Sequence, residues 1–159
     1  MEIRIGQGID VHAFASGRKC VLGGVEVPAE RGLLGHSDAD VLTHALMDAV
    51  LGAIGQRDIG TLFPDTDAAF KDADSIKLLA QVWDIASRDG WQLVNADVTL
   101  LAQVPKVKPY VEKMQERLSS VFGCEQSRIA IKATTTERLG FIGREEGVLA
   151  SAVVLLQRS

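Results

Sequence analysis

Asp10 and His12 lie two residues apart in the segment Gly6–Phe14, GQGIDVHAF. Side chains alternate along a strand, so an extended segment aims this carboxylate and this imidazole the same way. A second imidazole, His44, falls in DADVLTHALMDAVLGAIG, where the apolar spacing is helical. Catalytic zinc is commonly held by three imidazole or carboxylate ligands with a fourth position open, and Asp10, His12 and His44 supply such a set. Asp48, one turn beyond His44, is placed to hold its other ring nitrogen. The plainer reading of the same residues stays open. D-x-H is a short motif, and His44 with Asp48 on an exposed helix face is a pair worth about 0.2–0.5 kcal/mol. Met47 and Leu51 flank that face, which points to a covered surface.

Four further groups carry charge or hydroxyls. In LLGHSDAD, Ser37 or Asp38 is placed to cap the following helix, and His36 sits just before a helix start, where an anionic phosphate is favoured. In IKATTTERLGFIGREEG, Thr134 and Glu137 match a capping box. The same threonines also offer hydroxyls to phosphate oxygens, with Lys132, Arg138 and Arg144 close by in sequence. Glu137 suits a hard cation such as Mg²⁺ that keeps substrate phosphates as its other ligands. In LAQVPKVKP, Lys106 and Lys108 belong either to a rigid cationic loop or to a solvated one. The acidic stretch from residue 56 to residue 74 adds Asp58, Asp65 and Asp67. These are candidates for sugar hydroxyls or simply solvated acids.

The elements that must position these groups follow from the apolar pattern. Residues 2–14 read as a strand and 20–28 as a hairpin turning at Gly23-Gly24. A helix runs from about Asp40 to Ile54 and stops at Gly55, with Leu42, Ala45, Leu46, Ala49, Val50 and Ala53 on one face. Residues 56–74 read as a long loop with room for one helical turn. A helix over about 74–89 closes at Gly90. A strand over 91–103 places Val94, Ala96, Val98 and Leu100 on one face. Pro109 opens another helix, with Val111, Met114, Leu118 and Val121 on its apolar face and Gly123 past its end. Strands over 128–136 and 147–157 complete the chain. This order predicts an α+β fold, a mixed sheet covered by helices.

The 159 residues fit a single domain, residues 1–159, able to bury roughly 68–70% of its unfolded surface. A net charge of -4 argues against a nucleic-acid binder. Cys20 and Cys124 have no metal-type spacing and read as two buried thiols. The N-terminus lacks a signal-peptide core, and no apolar run approaches the ~20 residues of a membrane span. The expectation is a cytoplasmic protein with no membrane partner.

Five segments in order, GQGIDVHAF, GLLGHSDADVLTHALMDAVLGA, DIGTLFPDTD, LAQVPK and KATTTERLGF, closely resemble the 2-C-methyl-D-erythritol 2,4-cyclodiphosphate synthase family. The resemblance covers essentially the whole chain. It implies a homotrimer with active sites shared between subunits, in the non-mevalonate route to isoprenoids. It also implies an intramolecular phosphoryl transfer. The 2-phosphate of 4-diphosphocytidyl-2-C-methyl-D-erythritol 2-phosphate attacks the β-phosphorus, CMP leaves, and a cyclic diphosphate remains. Asp10, His12 and His44 match the family's Zn²⁺ ligands, and Glu137 matches the ligand of a Mg²⁺ or Mn²⁺ ion bridging the diphosphate. His36 and Thr135 match positions credited with stabilising the transition state. His36 and Ser37, with Asp58, Ile59 and Gly60 and with Phe63, Pro64, Asp65, Thr66 and Asp67, match the methylerythritol phosphate site. Ala102, Gln103, Val104, Pro105, Lys106, Val107 and Lys108, with Thr134, Thr135 and Thr136, match the cytidine-nucleotide pocket. Phe141 and Arg144 match further binding positions. The glycines before Asp10 are expected to let backbone approach substrate.

Three positions depart from the family pattern. Glu145 interrupts the usual G-R-G-E-G and bears on how Arg144 is used. Ser151 stands where a glutamate is common near the trimer axis, and Gln7 where histidine or tyrosine is common. Two competing readings use the same residues. A zinc phosphoesterase would activate water and release a linear phosphate. A trimeric metal- or nucleotide-binding protein would bind without turnover.

Overall fold

β1 (Glu2–Ala15) is the longest strand and carries both Asp10 and His12. The computed structural model describes residues 1–159. After β1 come a two-residue hairpin, β2 (Val21–Leu22) and β3 (Val25–Glu26), and a short β4 (Gly32–Leu33). Then follow α1 (Val41–Ala53), a single turn α2 (Ile59–Leu62) and α3 (Ser75–Arg88). β5 (Gln92–Leu101), α4 (Val111–Phe122), β6 (Ile129–Thr134), a short α5 (Gly140–Gly143) and β7 (Gly147–Arg158) complete the order. The main sheet runs β4-β1-β7-β5-β6. β5 and β6 are parallel, joined through α4, and the remaining pairs are antiparallel. The predicted mixed α+β class is therefore observed, but the helices cover one face of the sheet only.

On that covered face the pattern of β1 is inverted. Gly6, Gly8, Asp10 and His12 point toward the helices, while Ile3, Ile5, Ile9 and Val11 point away and are 57%, 71%, 52% and 47% exposed. Two glycines explain the inner face. A Cβ on Gly6 would stand 1.8 Å from the carbonyl oxygen of Ala49, and one on Gly8 2.0 Å from that of Ala45. Only hydrogen fits there, so the α1 backbone lies directly on β1. The sequence-based expectation that these glycines face substrate is overturned: they face a helix.

The start of α1 is pinned by Asp40, which is fully buried. Its carboxylate accepts from Thr43 N (3.0 Å) and Thr43 Oγ1 (2.8 Å), capping the helix, and from Gly23 N (2.9 Å) and Gly24 N (2.7 Å) in the hairpin turn. Burial pushes the Asp40 carboxyl pKa up, and these donors work against that. The cap is therefore neither Ser37 nor Asp38. α1 is buried nearly all round, between β1 and β7 on one side and α3 on the other. Met47 and Leu51 are covered within the chain itself, so no second subunit is needed to explain them.

Other expectations change locally. A β-bulge between Leu93 and Asn95 shifts the alternation of β5, so Leu93 rather than Val94 joins Ala96, Val98 and Leu100 in the core. The stretch 56–74 holds α2 and a 3₁₀ turn, Ala68–Phe70. Cys20 and Cys124 are both free thiols. No helix is long and apolar enough to cross a membrane.

The glycine contact gives a paired prediction. Gly8→Ala should lower stability by about 3 kcal/mol, because two backbones must separate. Gly52 is exposed on the same helix, and a Cβ there would meet only the Gln7 oxygen at 3.8 Å. Gly52→Ala should raise stability by about 0.5–1 kcal/mol. Urea midpoints of the two variants check this, and a harmless Gly8→Ala would refute the close packing.

Candidate metal centre

The seating of α1 on β1 brings His44 against Asp10 and His12. Ligand atoms of these three residues lie within 4.8 Å of one another. Asp10 Oδ2 is 2.8 Å from His12 Nε2 and 3.1 Å from His44 Nδ1, and the two ring nitrogens are 3.2 Å apart. His12 donates from Nδ1 to the Leu34 carbonyl at 2.8 Å. A carbonyl only accepts, so the proton of a neutral His12 is on Nδ1 and its Nε2 lone pair faces the cluster. The three residues thus present an oxygen and two nitrogens to one small volume. This donor set suits a divalent cation of borderline softness, and the residues fit the metal that the sequence predicts.

Without a cation, a proton does part of the same work. Burial disfavours the charge on Asp10, but the hydrogen bond from His12 and the adjacent His44 ring outweigh it and lower the carboxyl to about 2. Burial also opposes protonation of His12, and the Asp10 carboxylate outweighs it, so the His12 pKa is raised.

The cluster opens into a cavity of about 410 Å³. His36, Ser37, Ile59, Gly60, Phe63 and Asp65 line it beside the three ligands. His36 is fixed by donating from Nε2 to the Asp67 carbonyl at 2.9 Å, which ties the acidic stretch to the loop before α1. Two acids of that stretch are used as caps: Asp58 accepts from Thr61 N and Oγ1, and Asp67 from Ala69 N. Asp65 is left facing the cavity. Pro64 and Thr66 are exposed on the same stretch and do not line it.

A second group of predicted residues gathers elsewhere, at the carboxyl ends of the parallel strands β5 and β6. Ala102 N donates to the Thr134 carbonyl (3.0 Å), and Arg138 N to Gln103 Oε1 (3.3 Å), so the 102–108 loop and the 134–138 turn form one unit. Val107, Lys108, Ala133 and Lys132 line a cleft there. Glu137 is exposed and carries a positive φ of 52°, as does Arg138 at 63°. The capping-box reading of Thr134 and Glu137 therefore fails, for no helix starts there. The turn instead leaves the Glu137 side chain free of any ion pair. Neither this unit nor Phe141 and Arg144 borders the 410 Å³ cavity.

Comparison with known proteins gives the family. The YgbB family matches residues 3–157. The chain belongs to the YgbB family. It is 60% identical over 156 residues, 98% of both chains, to the 2-C-methyl-D-erythritol 2,4-cyclodiphosphate synthase of Geobacillus thermodenitrificans. Among solved structures it is similar to the bifunctional IspDF of Campylobacter jejuni, with a TM-score of 0.95 and 46% identity. That match covers 99% of this chain and 43% of the longer bifunctional one. It is also similar to a CDP complex of IspF from Plasmodium falciparum, with a TM-score of 0.87 and 33% identity over 99% of this chain and 97% of that one.

One sequence-based assignment within this YgbB chain is corrected. Asp48 does not hold His44. It accepts from Ile59 N at 2.8 Å and anchors α2, while His44 Nε2 meets Ser75 Oγ (2.8 Å) and Ser37 Oγ (3.1 Å). Helical side chains lean toward the N-terminal turn, which carries the His44 ring away from a residue four positions later. The question that Glu145 raises about Arg144 is also answered. Arg144 pairs with Glu146 at 2.8 Å, and Glu145 pairs with Arg31 at 3.5 Å. Ser75 carried no signal in the sequence, because its relation to His44 exists only through the packing of α3 on α1.

Metal binding here must displace the proton that Asp10 retains on His12. Cation affinity should therefore fall by about tenfold per pH unit below the raised His12 pKa and level off above it. Calorimetric titration of metal-free protein with Co²⁺ across the neutral range checks this. An affinity independent of pH would remove His12 from the site.

Proposed function

We propose that this chain converts 4-diphosphocytidyl-2-C-methyl-D-erythritol 2-phosphate to 2-C-methyl-D-erythritol 2,4-cyclodiphosphate and CMP, acting as one catalytic domain over residues 1–159. The observation that carries this reading is the 60% identity, along 98% of both chains, to a synthase named for that product. The enzyme is a phosphorus–oxygen lyase of isoprenoid precursor synthesis, working in the cytoplasm. The arrangement of Asp10, His12 and His44 supports a zinc site, and the free, exposed Glu137 supports a Mg²⁺ or Mn²⁺ site completed by substrate phosphates. When bound, the two ions supply positive charge to the diphosphate oxygens and to departing CMP.

The remaining work belongs to the protein. Nucleophile and electrophile are parts of one molecule, so orientation alone can supply on the order of 7–11 kcal/mol of the barrier. Ile59, Gly60, Phe63 and Asp65 hold the methylerythritol end, with Asp65 on a hydroxyl. His36, fixed through Asp67, lines the cavity beside the transferring phosphoryl group, and Thr135 donates to its oxygens, where charge builds up. The 102–108 loop and Thr134 to Thr136 take the cytidine nucleotide, and Lys106 and Lys108 face its phosphates. No side chain forms a bond to phosphorus.

A homotrimer with shared sites is part of this proposal. Two observations support it. The outward face of β1 is a row of exposed Ile3, Ile5, Ile9 and Val11, joined by Val153 of the neighbouring strand, which is an area that a second copy can cover. The metal-centre cavity and the nucleotide unit also lie apart in one chain, so a neighbouring copy can bring the second to the first.

Incubation with substrate, Zn²⁺ and Mg²⁺ should give CMP and cyclic diphosphate in equal amounts, with no label entering from ¹⁸O-water. Label in a linear phosphate would decide for a phosphoesterase. Light scattering should give three times the 17.1 kDa chain mass, and a fully active monomer would refute the shared site. Glu137→Gln should leave bound zinc intact and lower turnover on the order of 100-fold, with partial recovery at raised Mg²⁺. Loss of zinc would place Glu137 in the other site.

A further inference from the structure

His44 meets the metal cluster through Nδ1, and what stands behind its Nε2 decides whether that lone pair is available. Two buried hydroxyls stand there, Ser75 Oγ at 2.8 Å and Ser37 Oγ at 3.1 Å. They are not equivalent. Ser75 Oγ also contacts Asp38 Oδ1, and a carboxylate oxygen can only accept. The single Ser75 proton is thereby committed to Asp38, and Ser75 is left to accept from His44 Nε2–H. Ser37 Oγ accepts from Ala39 N at 3.2 Å, and its own proton remains free to point either way.

Asp38 is itself held in place. Ser75 N donates to its Oδ2 at 3.0 Å, Asp40 N donates to its Oδ1 at 3.1 Å, and its backbone N–H donates to the Ala73 carbonyl at 3.1 Å. These bonds join the loop before α1 to the first turn of α3. The carboxylate is therefore aimed at Ser75 by backbone on both sides.

We infer that Asp38 and Ser75 form a proton-orienting relay that fixes His44 as the Nε2–H tautomer and so presents a bare Nδ1 to the metal. Both are positioning residues, since neither touches the cation or the substrate. The inference rests on the reading of Asp10, His12 and His44 as a metal site. Its logic mirrors the Leu34 carbonyl on His12, with one difference. His12 is oriented by backbone, whereas His44 is oriented by a side-chain carboxylate acting through a hydroxyl, which also makes the ring a stronger donor to a cation. Without Ser75, the ring nitrogen that faces Ser37 can accept from it. The proton then moves to Nδ1, where it blocks the ligand position.

Ser75→Ala removes one hydroxyl and leaves both backbone donors on Asp38, and a thermal melt confirms that the variant is folded. Two measurements test the relay. Long-range ¹H–¹⁵N correlation spectra of metal-free protein at mildly alkaline pH distinguish a protonated from a bare ring nitrogen. The parent should show His44 protonated at Nε2, and Ser75→Ala should show a mixture or the opposite tautomer. Chelator competition with Co²⁺ and Zn²⁺ should then show affinity lower by roughly 10–100-fold in Ser75→Ala. A parent carrying the proton on Nδ1, or a folded Ser75→Ala with parental tautomer and affinity, overturns the relay while leaving the metal site standing. A parent that binds neither cation overturns the metal reading, and the role of the relay in it.

Discussion

The rest of the structure depends on the contact between the α1 backbone and β1 at Gly6 and Gly8. A Cβ at either position would stand within about 2.0 Å of a helix carbonyl, so the helix sits closer to the strand than side chains normally allow. That spacing brings an imidazole from the helix to within 3.1 Å of a carboxylate on the strand. The same contact dictates the rest of β1. Between Gly6 and His12 its inner face is used up by two glycines and two candidate ligands, and Ile3, Ile5, Ile9 and Val11 are left on the outer face. A strand so arranged contributes little to the core of its own chain. The core is built instead from α1, α3, α4 and the inward residues of β5, β6 and β7.

Positioning three acceptors around one point carries an electrostatic cost, and the surroundings show how it is met. Asp10, with His12 and His44 turned toward it, is stabilised as the anion, its carboxyl lowered to about 2 despite burial. That contribution is fully present above the ordinary carboxylate range and is lost as pH falls through about 2. The His12 pKa is raised, so its contribution is present below the ordinary imidazole value and fades as pH rises through the folded one. The metal-free cluster is therefore at its most stable on the acidic side of neutrality, with a proton in the position of a cation. At higher pH that proton leaves, and only a metal ion keeps the three groups together without repulsion.

Much of this arrangement was legible in the sequence, for identifiable reasons. The shared face of Asp10 and His12 follows from the two-residue period of a strand. The place of His44 follows from an apolar helix pattern closed by Gly55. These are short-range regularities. What escaped depends on contacts between distant segments. A glycine that admits a helix looks the same in sequence as one that admits a substrate. Asp48 stands at the spacing of a partner for His44, yet the lean of helical side chains gives that partnership to Ser75, 31 residues away. Thr134 and Glu137 match a cap, but Glu137 and Arg138 take left-handed backbone, which no helix start allows. The bulge at Val94 likewise breaks an alternation that the sequence carries without interruption.

The Glu145 position shows how a local departure from the family pattern is absorbed. Glu145 adopts a φ of 59°, in the region that glycine occupies freely and where other residues cost roughly 1–2 kcal/mol. Its ion pair with Arg31 is at 3.5 Å and half-exposed, and a pair of that kind returns at most about 1 kcal/mol. The carboxylate is therefore a net cost or neutral for the fold, and its effect is local. It joins Arg31, whose guanidinium lies 4.8 Å from the ring centre of Phe14, to the turn before β7. That turn is also held by Phe14 N donating to the Glu146 carbonyl at 3.0 Å. The far end of β1 is thus tied to the start of β7 by backbone, by an aromatic contact and by one ion pair, just past His12. Arg144 remains paired with Glu146 on the exposed side of this turn. The extra acid consequently leaves the cluster of Asp10, His12 and His44 untouched and adds one more contact to the strand end that carries Asp10 and His12.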